Sequence, residues 1–235
     1  MKLPVLLPAA IAATLLAACA PAQVKLPADF AAGAVVHAVD GHSPRHFDQP
    51  VFIGPYSARR LQDGDTFQWE AGDGRSSMLD SERAYAFTLT TAGQPPVHVQ
   101  CLSRQSLLRH GDEDAMLEID LTALEGPLLS CGLQFDGSDA VMPLELAARG
   151  NRLVGSLGSP WGNLSMRSLH GFDGSALSSM DANGFELASK GQTWTVVETI
   201  NAGRVLFAPV TDGRQRTYLA AAATALLMLD ADLGD

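Results

Sequence analysis

The sequence predicts a mainly β fold, a closed or nearly closed antiparallel barrel with one hydrophobic C-terminal helix packed inside it. The chain has 235 residues, 46% of them hydrophobic, which is enough apolar material for one core of ordinary size. Short segments of alternating apolar and polar residues recur between turn signals. A single alanine-rich apolar run, "YLAAAATALLML", comes near the end. A β-sandwich with the helix on one face is the alternative fold.

The strands are predicted from the turns and from the segments between them. Asp-Gly or Asn-Gly pairs, which favour the positive φ angles that close hairpins, begin at residues 40, 63, 73, 136, 173, 183 and 212. In "AYAFTLT" the side chains of Tyr85, Phe87 and Leu89 share one face, and in "MLEIDLT" those of Leu117 and Ile119 share another. Roughly nine to twelve short strands at this spacing favour a barrel or sandwich. "SLLRHG", near residue 106, is predicted as a short helical turn.

The C-terminal run is predicted as a helix over residues 214–233. Between Tyr218 and Leu229 every residue is apolar except Thr224, and Ala, Leu and Met are strong helix formers. The run is too short to span a bilayer, and a helix that is apolar all round must be buried all round or lie in a membrane. In a mainly β chain, the inside of a barrel offers that burial, and small alanine side chains let a helix fit there.

This ending resembles that of the tubby-like and LURP-one-like proteins, whose closed β-barrel is threaded by a hydrophobic C-terminal helix. The resemblance covers mainly residues 183 to 233, from "GFELAS" through "TWTVVETI" to the apolar run. Tubby-like proteins bind phosphoinositides through basic residues. This chain departs from them because its formal net charge is -10, so that ligand does not carry over. The resemblance suggests a hydrophobic ligand instead, although plain core packing also explains the helix.

Residues 1–18 are predicted to be a signal peptide, because Lys2 is followed by an uncharged apolar stretch that ends in small residues. The letters "LAAC" at its end resemble the lipobox of bacterial lipoproteins. That resemblance implies cleavage before Cys19, acylation of Cys19 and a permanent lipid anchor. Ala20 stands where an aspartate would resemble an inner-membrane retention signal, which implies the periplasmic face of the outer membrane. An ordinary signal peptide or an uncleaved helix is the alternative.

A flexible tether that starts at the lipidated cysteine is predicted over residues 19–32, where Ala and Pro are frequent and periodicity is weak. A single β-rich periplasmic domain is predicted over residues 33–235. Near its start, "FIGPY" at residues 52–56 resembles a segment found in an uncharacterised family of proteobacterial lipoproteins.

The two remaining cysteines are predicted to form a disulfide. Cys101 ends the alternating segment "VHVQC" and Cys131 lies near the start of "SCGLQF", so both thiols should face apolar neighbours. An oxidising periplasm favours the bridge. Two separate buried thiols are the alternative.

Residue types that bind metals are densest in "HAVDGHSPRHFD", which contains His37, His42 and His46 together with two aspartates. The spacing matches no standard site, and Pro44 argues against a helical pair of histidines. A polar loop is therefore the preferred interpretation, and metal binding is left open. "HGDEDAM" lacks the ligand pattern of a calcium loop and is predicted to be a solvated turn.

No catalytic motif stands out in the sequence. The nucleophile elbow, H-E-x-x-H, the phosphate loop and the dinucleotide pattern do not occur, so no catalytic residue and no cofactor is predicted. Trp69, Trp161 and Trp194 could form a carbohydrate platform, but core or barrel-rim positions are the preferred interpretation.

Together these observations predict a noncatalytic, lipid-anchored lipoprotein with a binding or structural role in the periplasm. The predicted partners are the membrane, through acyl chains on Cys19, and a hydrophobic ligand or an envelope protein. The acidic charge argues against nucleic acid. The alternative is a periplasmic hydrolase that acts on a glycan or an ester.

Overall fold

The protein is described by a computed structural model that covers residues 21–28, 30, 32–41, 49–64, 66–72, 75–112 and 115–229. The predicted signal peptide and Cys19 lie outside these residues. The strands are β1 (Val35–Asp40), β2 (Val51–Ile53), β3 (Tyr56–Asp63), β4 (Phe67–Gly72), β5 (Ser76–Thr90), β6 (Val97–Asp112), β7 (Ala115–Asp120), β8 (Leu129–Phe135), β9 (Met142–Arg149), β10 (Arg152–Leu157), β11 (Leu164–Leu169), β12 (Gly184–Ser189), β13 (Gln192–Glu198) and β14 (Arg204–Phe207). The helices are α1 (Thr122–Glu125) and α2 (Gly213–Leu227).

Twelve of these strands form a closed antiparallel barrel. Around the ring from β1 the neighbours are β2, β3, β5, β6, β8 and then β9 to β14 in order, and β14 pairs again with β1. The pairing of β5 with β6 closes the ring. The predicted barrel is confirmed. The sandwich alternative is wrong, because hydrogen bonding runs continuously around the ring and does not divide into two facing sheets.

Helix α2 lies inside the barrel, as predicted. Its residues from Thr217 to Leu227 are all buried, and it contacts β3, β5, β6, β8, β13 and β14 from around the ring. The Tyr218 hydroxyl donates to the carbonyl of Gly158 at 2.7 Å, and the Tyr85 hydroxyl donates to the carbonyl of Ala225 at 2.8 Å. These bonds join helix and wall and satisfy buried polar atoms, each of which would cost about 1–3 kcal/mol if left unpaired.

The start of α2 is set by a capping box. The Asp212 side chain accepts a hydrogen bond from the N–H of Gln215 at 2.8 Å, and the Gln215 side chain accepts one from the N–H of Asp212 at 3.0 Å. The pair Asp212-Gly213 therefore caps a helix and does not close a hairpin. The helix ends at Leu227 with Met228 as its C-cap, and residues 230–233 of the predicted helix lie outside the described residues.

The barrel interior is built from inward residues that alternate along each strand. In β8 the buried side chains include Leu129, Cys131 and Leu133, every second residue. Cys101 of β6 lies directly opposite Cys131 in the strand register, and the two form a disulfide. The predicted disulfide is therefore present, between two neighbouring strands of the barrel wall.

Strands β5 and β6 are longer than the barrel requires, with 15 and 16 residues. Their barrel halves pair with β3 and β8, through residues 85–90 of β5 and 97–103 of β6. Their outer halves pair with β4 and β7 instead, through residues 77–82 and 107–112. We call the four-stranded sheet formed by β4, the two outer halves and β7 the extension. "SLLRHG" lies in β6, so the predicted helical turn is wrong: this segment pairs with β5 and, from Leu107, with β7.

Part of the predicted tether packs on the outside of the barrel. Val24 forms a β-bridge with Phe172 and is 1% exposed. Phe30 is also buried and packs with Val196 and Leu206, whose neighbours in β13 and β14 line the interior. Because buried apolar side chains hold the chain at these residues, the prediction of a flexible tether up to residue 32 is wrong here.

Candidate functional site

The extension has an outer face that continues the outside of the barrel. Directly opposed residues of antiparallel strands point to the same face, and Trp69 is opposite Asp80, which is opposite Ser106. Tyr85 and Phe87 of β5 point into the barrel, so the alternate residues, including Asp80, point outward. This outer face holds Phe67, Trp69, Met78, Asp80, Glu82, Arg104, Ser106, Leu108, Leu117 and Ile119.

Large apolar side chains on this face are exposed to solvent. Phe67 is 67% exposed, Trp69 52%, Leu117 57% and Ile119 43%. The alternation of Leu117 and Ile119 is typical of a buried strand face, but the structure places both in solvent. Aromatic and aliphatic groups gathered on one exposed face are typical of a binding surface.

An open pocket of about 350 Å³ lies on the outer face between the aromatic pair and the barrel, lined by Phe67, Trp69, Asp80, Glu82, Arg104, Ser106 and Glu125. Nε of Arg104 donates to Oε1 of Glu82 at 2.8 Å. Oγ of Ser106 lies 2.6 Å from Oε2 of Glu125 and also in hydrogen-bond contact with Oδ1 of Asp80. A hydroxyl has one proton to donate. Ser106 therefore satisfies one of the two carboxylates, and the pocket can accept a further bond from an outside donor.

Helix α1 positions Glu125 over Ser106. The N–H of Thr122 donates to Oδ1 of Asp120 at 2.8 Å, and Oγ1 of Thr122 accepts from the N–H of Ser106 at 2.9 Å. The carbonyl of Ser106 accepts from the N–H of Leu121 at 2.8 Å. Both backbone groups of Ser106 are thus bound by the segment at the start of α1. Glu125 lies about one helical turn further along the chain and reaches back to the Ser106 hydroxyl.

The edges of the sheet lie in the extension. Among the described strands, β4 and β7 alone stand at the ends of the strand order, and each pairs with a single neighbour. The backbone N–H and C=O groups on the open side of such a strand are available to pair with another chain. Neither β4, "FQWEAG", nor β7, "AMLEID", contains Lys or Pro, which often block such pairing.

His37 belongs to β1 and does not lie in a polar loop, which corrects that interpretation for this residue. Its ring lies 6.0 Å from the ring of Tyr56 and 5.9 Å from that of Phe207. Burial, and to a lesser extent the charge of Arg216, lower the pKa of His37. A Cβ at Gly54, where φ is +55°, would lie 2.3 Å from Nδ1 of His37. The glycine of "FIGPY" is thus explained by packing against this ring.

The other two histidines of the predicted cluster, His42 and His46, lie outside the described residues. Within the residues that the structure covers, no group of three or more His, Cys, Asp or Glu side chains is arranged to hold a metal ion.

A hydroxyl, an imidazole and a carboxylate line up on the outside of the barrel. Oγ1 of Thr88 lies 3.0 Å from Nδ1 of His98, and Nε2 of His98 lies 3.5 Å from Oδ1 of Asp136. The side chains of His98 and Asp136 are 44% and 65% exposed. A nucleophilic mechanism needs this order of groups, but it also needs donors for the oxyanion and exclusion of water. The exposure of the imidazole disfavours catalysis here.

The three tryptophans do not form a common platform. Trp161 packs against Phe135 and Tyr218, with ring centroids 6.3 and 6.0 Å apart, and Trp194 also packs on the core. The preferred interpretation, a core or barrel-rim position, is confirmed for these two. It is wrong for Trp69, which lies on the extension.

Sequence reasoning missed most of the pocket. Asp80, Glu82, Arg104 and Ser106 lie in strand segments without a motif, and only pairing of β5 with β6 brings them together. Glu125 follows in sequence much later and reaches the pocket through α1. The one available signal was the aromatic pair in "FQW", two residues apart on one strand.

No protein-family model, no curated protein and no solved structure matches this chain. In the described part of the chain, no helix is long and apolar enough to cross a bilayer. The function is therefore inferred from the geometry of the molecule and from its sequence patterns.

Proposed function

We propose that this protein is a noncatalytic, lipid-anchored lipoprotein of the bacterial cell envelope that binds a partner through the outer face of the extension. The observation that supports a binding role is the exposed set Phe67, Trp69, Leu117 and Ile119 on a sheet with open edges. The barrel itself is filled by α2, whose alanines from Ala220 to Ala223 are completely buried. Its interior is therefore packed as a core, whereas the extension displays these apolar side chains together on one sheet face.

The envelope assignment is supported by the sequence pattern around Cys19 and by the disulfide. A bond between Cys101 and Cys131 is typical of a protein that folds in an oxidising compartment. The lipobox-like "LAAC" would then place acyl chains on Cys19, and the start of the chain would carry the domain on the periplasmic face of the outer membrane.

The anchor is tested by labelling cells with a radioactive fatty acid and separating the membrane fraction. The wild-type protein is expected to be labelled and to sediment with membranes, and a Cys19→Ser variant to lose the label. Label retained by Cys19→Ser would overturn the lipoprotein assignment.

The binding surface is tested by photocrosslinking in living cells with a benzophenone amino acid at position 67. The matched control places the same group at Val36, which is 50% exposed on barrel strand β1. Crosslinked products are expected at position 67 and not at 36. Equal yields, or none at either position, would show that the extension is not the binding surface.

A hydrolase is the second candidate, and the row Thr88, His98 and Asp136 is the arrangement that would favour it. The test is release of nitrophenol from nitrophenyl acetate by the wild type and by Thr88→Ala. Activity that is lost in Thr88→Ala would replace the noncatalytic proposal with this one.

A further inference from the structure

We propose that the open edge of β4 binds an extended peptide segment of another envelope protein, and that a lysine or arginine of this segment enters the pocket beside Trp69. This inference rests on the proposed function, because it names the chemistry of the partner bound at the extension. Three features support it: a free strand edge, an aromatic pair and a carboxylate pair.

The backbone of β4 is suited to receive a further strand. All six of its residues are exposed, and it pairs with β5 alone. An extended peptide that adds to an open edge gains main-chain hydrogen bonds along its length. The strand carries a single charged residue, Glu70, and no lysine or proline that would prevent pairing.

The side chains of β4 provide a place for a cation. Phe67 and Trp69 are two residues apart and therefore point to the same face. A residue of the added strand opposite Trp69 would lie about 5 Å from it and about two strand spacings, roughly 10 Å, from Asp80. A long basic side chain crosses that distance over the indole ring, where a cation–π contact stabilises it.

The carboxylates provide the charge that such a cation requires. Glu82 already accepts from Arg104, whereas Asp80 and Glu125 share the single proton of Ser106. An ammonium or guanidinium group supplies several donors and forms shorter, stronger bonds to carboxylates than a neutral group does. A basic side chain would therefore complete the hydrogen bonding of this pocket.

Charge also distinguishes this partner from a second copy of the chain. The exposed edge strands carry Glu70 on β4 and, on β7, Asp120 and Glu118, of which Glu118 is paired with Arg109. Pairing of two copies would bring like charges together, which is destabilising for directly opposed residues. A basic segment meets the opposite charge on the outer face, where Asp80, Glu82 and Glu125 line the pocket.

The experiment measures the binding of a labelled synthetic peptide of alternating valine and lysine to the full chain by fluorescence anisotropy. Two further peptides separate the contributions: one with glutamate in place of lysine, and one methylated on alternate backbone nitrogens so that it cannot pair as a strand. The lysine peptide is expected to bind, and both other peptides are expected to bind at least about tenfold more weakly.

Matched variants locate the site. Trp69→Ala and Asp80→Asn are each expected to weaken binding of the lysine peptide about tenfold. Val36→Ala on β1 and Asp136→Asn on the barrel, which removes the same charge elsewhere, should leave binding unchanged. Equal losses in Asp80→Asn and Asp136→Asn would show unspecific attraction to an acidic protein and overturn the proposal.

Other outcomes are equally decisive. Equal binding of the methylated peptide would exclude strand addition, and dimerisation of the chain that Trp69→Ala abolishes would assign the edge to a second copy. If the crosslinks at position 67 persist while no lysine peptide binds, the extension binds a partner of different chemistry. The proposed function would then stand and this inference would fall.

Discussion

The barrel and the extension share strands β5 and β6, yet alternating apolar side chains are buried inside the barrel and exposed on the outer face of the extension. In the barrel half of β5, Tyr85, Phe87 and Leu89 are at most 2% exposed, because α2 covers the inner face of the wall. In the extension, the equally apolar Leu117 and Ile119 point outward, away from the side that α2 fills.

The difference shows that alternation defines two faces without saying which face, if any, is covered. Burial comes from what packs on each face: α2 covers the inner face of the barrel wall, and Phe30 covers Val196 and Leu206 on its outside. On the outer face of the extension Phe67, Trp69, Leu117 and Ile119 stay exposed, whereas Leu79 and Leu107 on its inner face are buried. Stability and binding are thus expected to be separable along one pair of strands.

The largest expected effect comes from introducing a charge into each region. Leu226→Asp in α2 would bury an unpaired carboxylate at a residue that is 1% exposed. The cost, at least about 3–5 kcal/mol, is comparable with the whole stability of a domain. We expect no cooperative thermal unfolding by circular dichroism. Leu117→Asp on the extension is the matched control and should change stability by less than about 0.5 kcal/mol. Similar melting curves for the two variants would contradict the contrast between a buried helix and an exposed face of the extension.

The second effect concerns the disulfide, which joins β6 to β8 in the barrel half. Replacing Cys101 and Cys131 together by alanine removes a bridge that spans 30 residues of sequence. In the chain-entropy model the loss is about 3–4 kcal/mol. Guanidinium denaturation measures this loss of stability. The midpoint should fall to a lower guanidinium concentration, but unfolding should remain a cooperative transition. Hydrogen exchange should accelerate in the barrel strands first, and acceleration confined to β4 and β7 would argue against this assignment.

A smaller effect is expected at the start of the central helix. Asp212→Ala removes the side chain that accepts from Gln215 and should cost about 1 kcal/mol. The control is Asp173→Ala, because Asp173-Gly174 is a similar pair that forms an exposed turn. If urea denaturation shows equal losses in the free energy of unfolding for the two variants, the capping box contributes nothing specific.

The smallest effect is a pH dependence at the barrel wall. Because the pKa of His37 is lowered in the folded state, the unfolded chain takes up a proton more readily than the folded one. The stabilisation from burying neutral His37 is therefore complete above the unfolded pKa of about 6.5. It is lost as the pH falls from there toward the lower pKa of the folded state. His37→Gln should flatten the plot of the free energy of unfolding against pH in that window. An unchanged slope would assign the pH dependence to other groups.

Several features were accessible from the sequence because they depend on local chemistry. Cys101 and Cys131 lie in alternating segments, so their inward direction followed from period alone. The run from Tyr218 to Leu229 is apolar all round, so burial of its helix followed without knowledge of its neighbours. The turn pairs were less reliable, since Asp212-Gly213 has the composition of a hairpin turn and acts as a helix cap.

The pocket could not be predicted, because its residues come from four separate parts of the chain: β4, β5, β6 and α1. Asp80 and Ser106 meet only through the register of β5 with β6, and Glu125 arrives through α1. A shift of that register by one residue would send these side chains to the other face. No spacing within the sequence encodes the register of β5 with β6.

The sequence by itself determined the elements of this protein: strands from alternation, a buried helix from its uniform apolar surface, a disulfide from two inward cysteines. Each of these depends on the period of the backbone and the chemistry of nearby residues. Only the tertiary structure decided that β5 and β6 run past the barrel and that Trp69 and Leu117 stay exposed there. The physical reason is that burial depends on which surfaces meet, and α2 covers the inner side of the wall while leaving the outer face of the extension open.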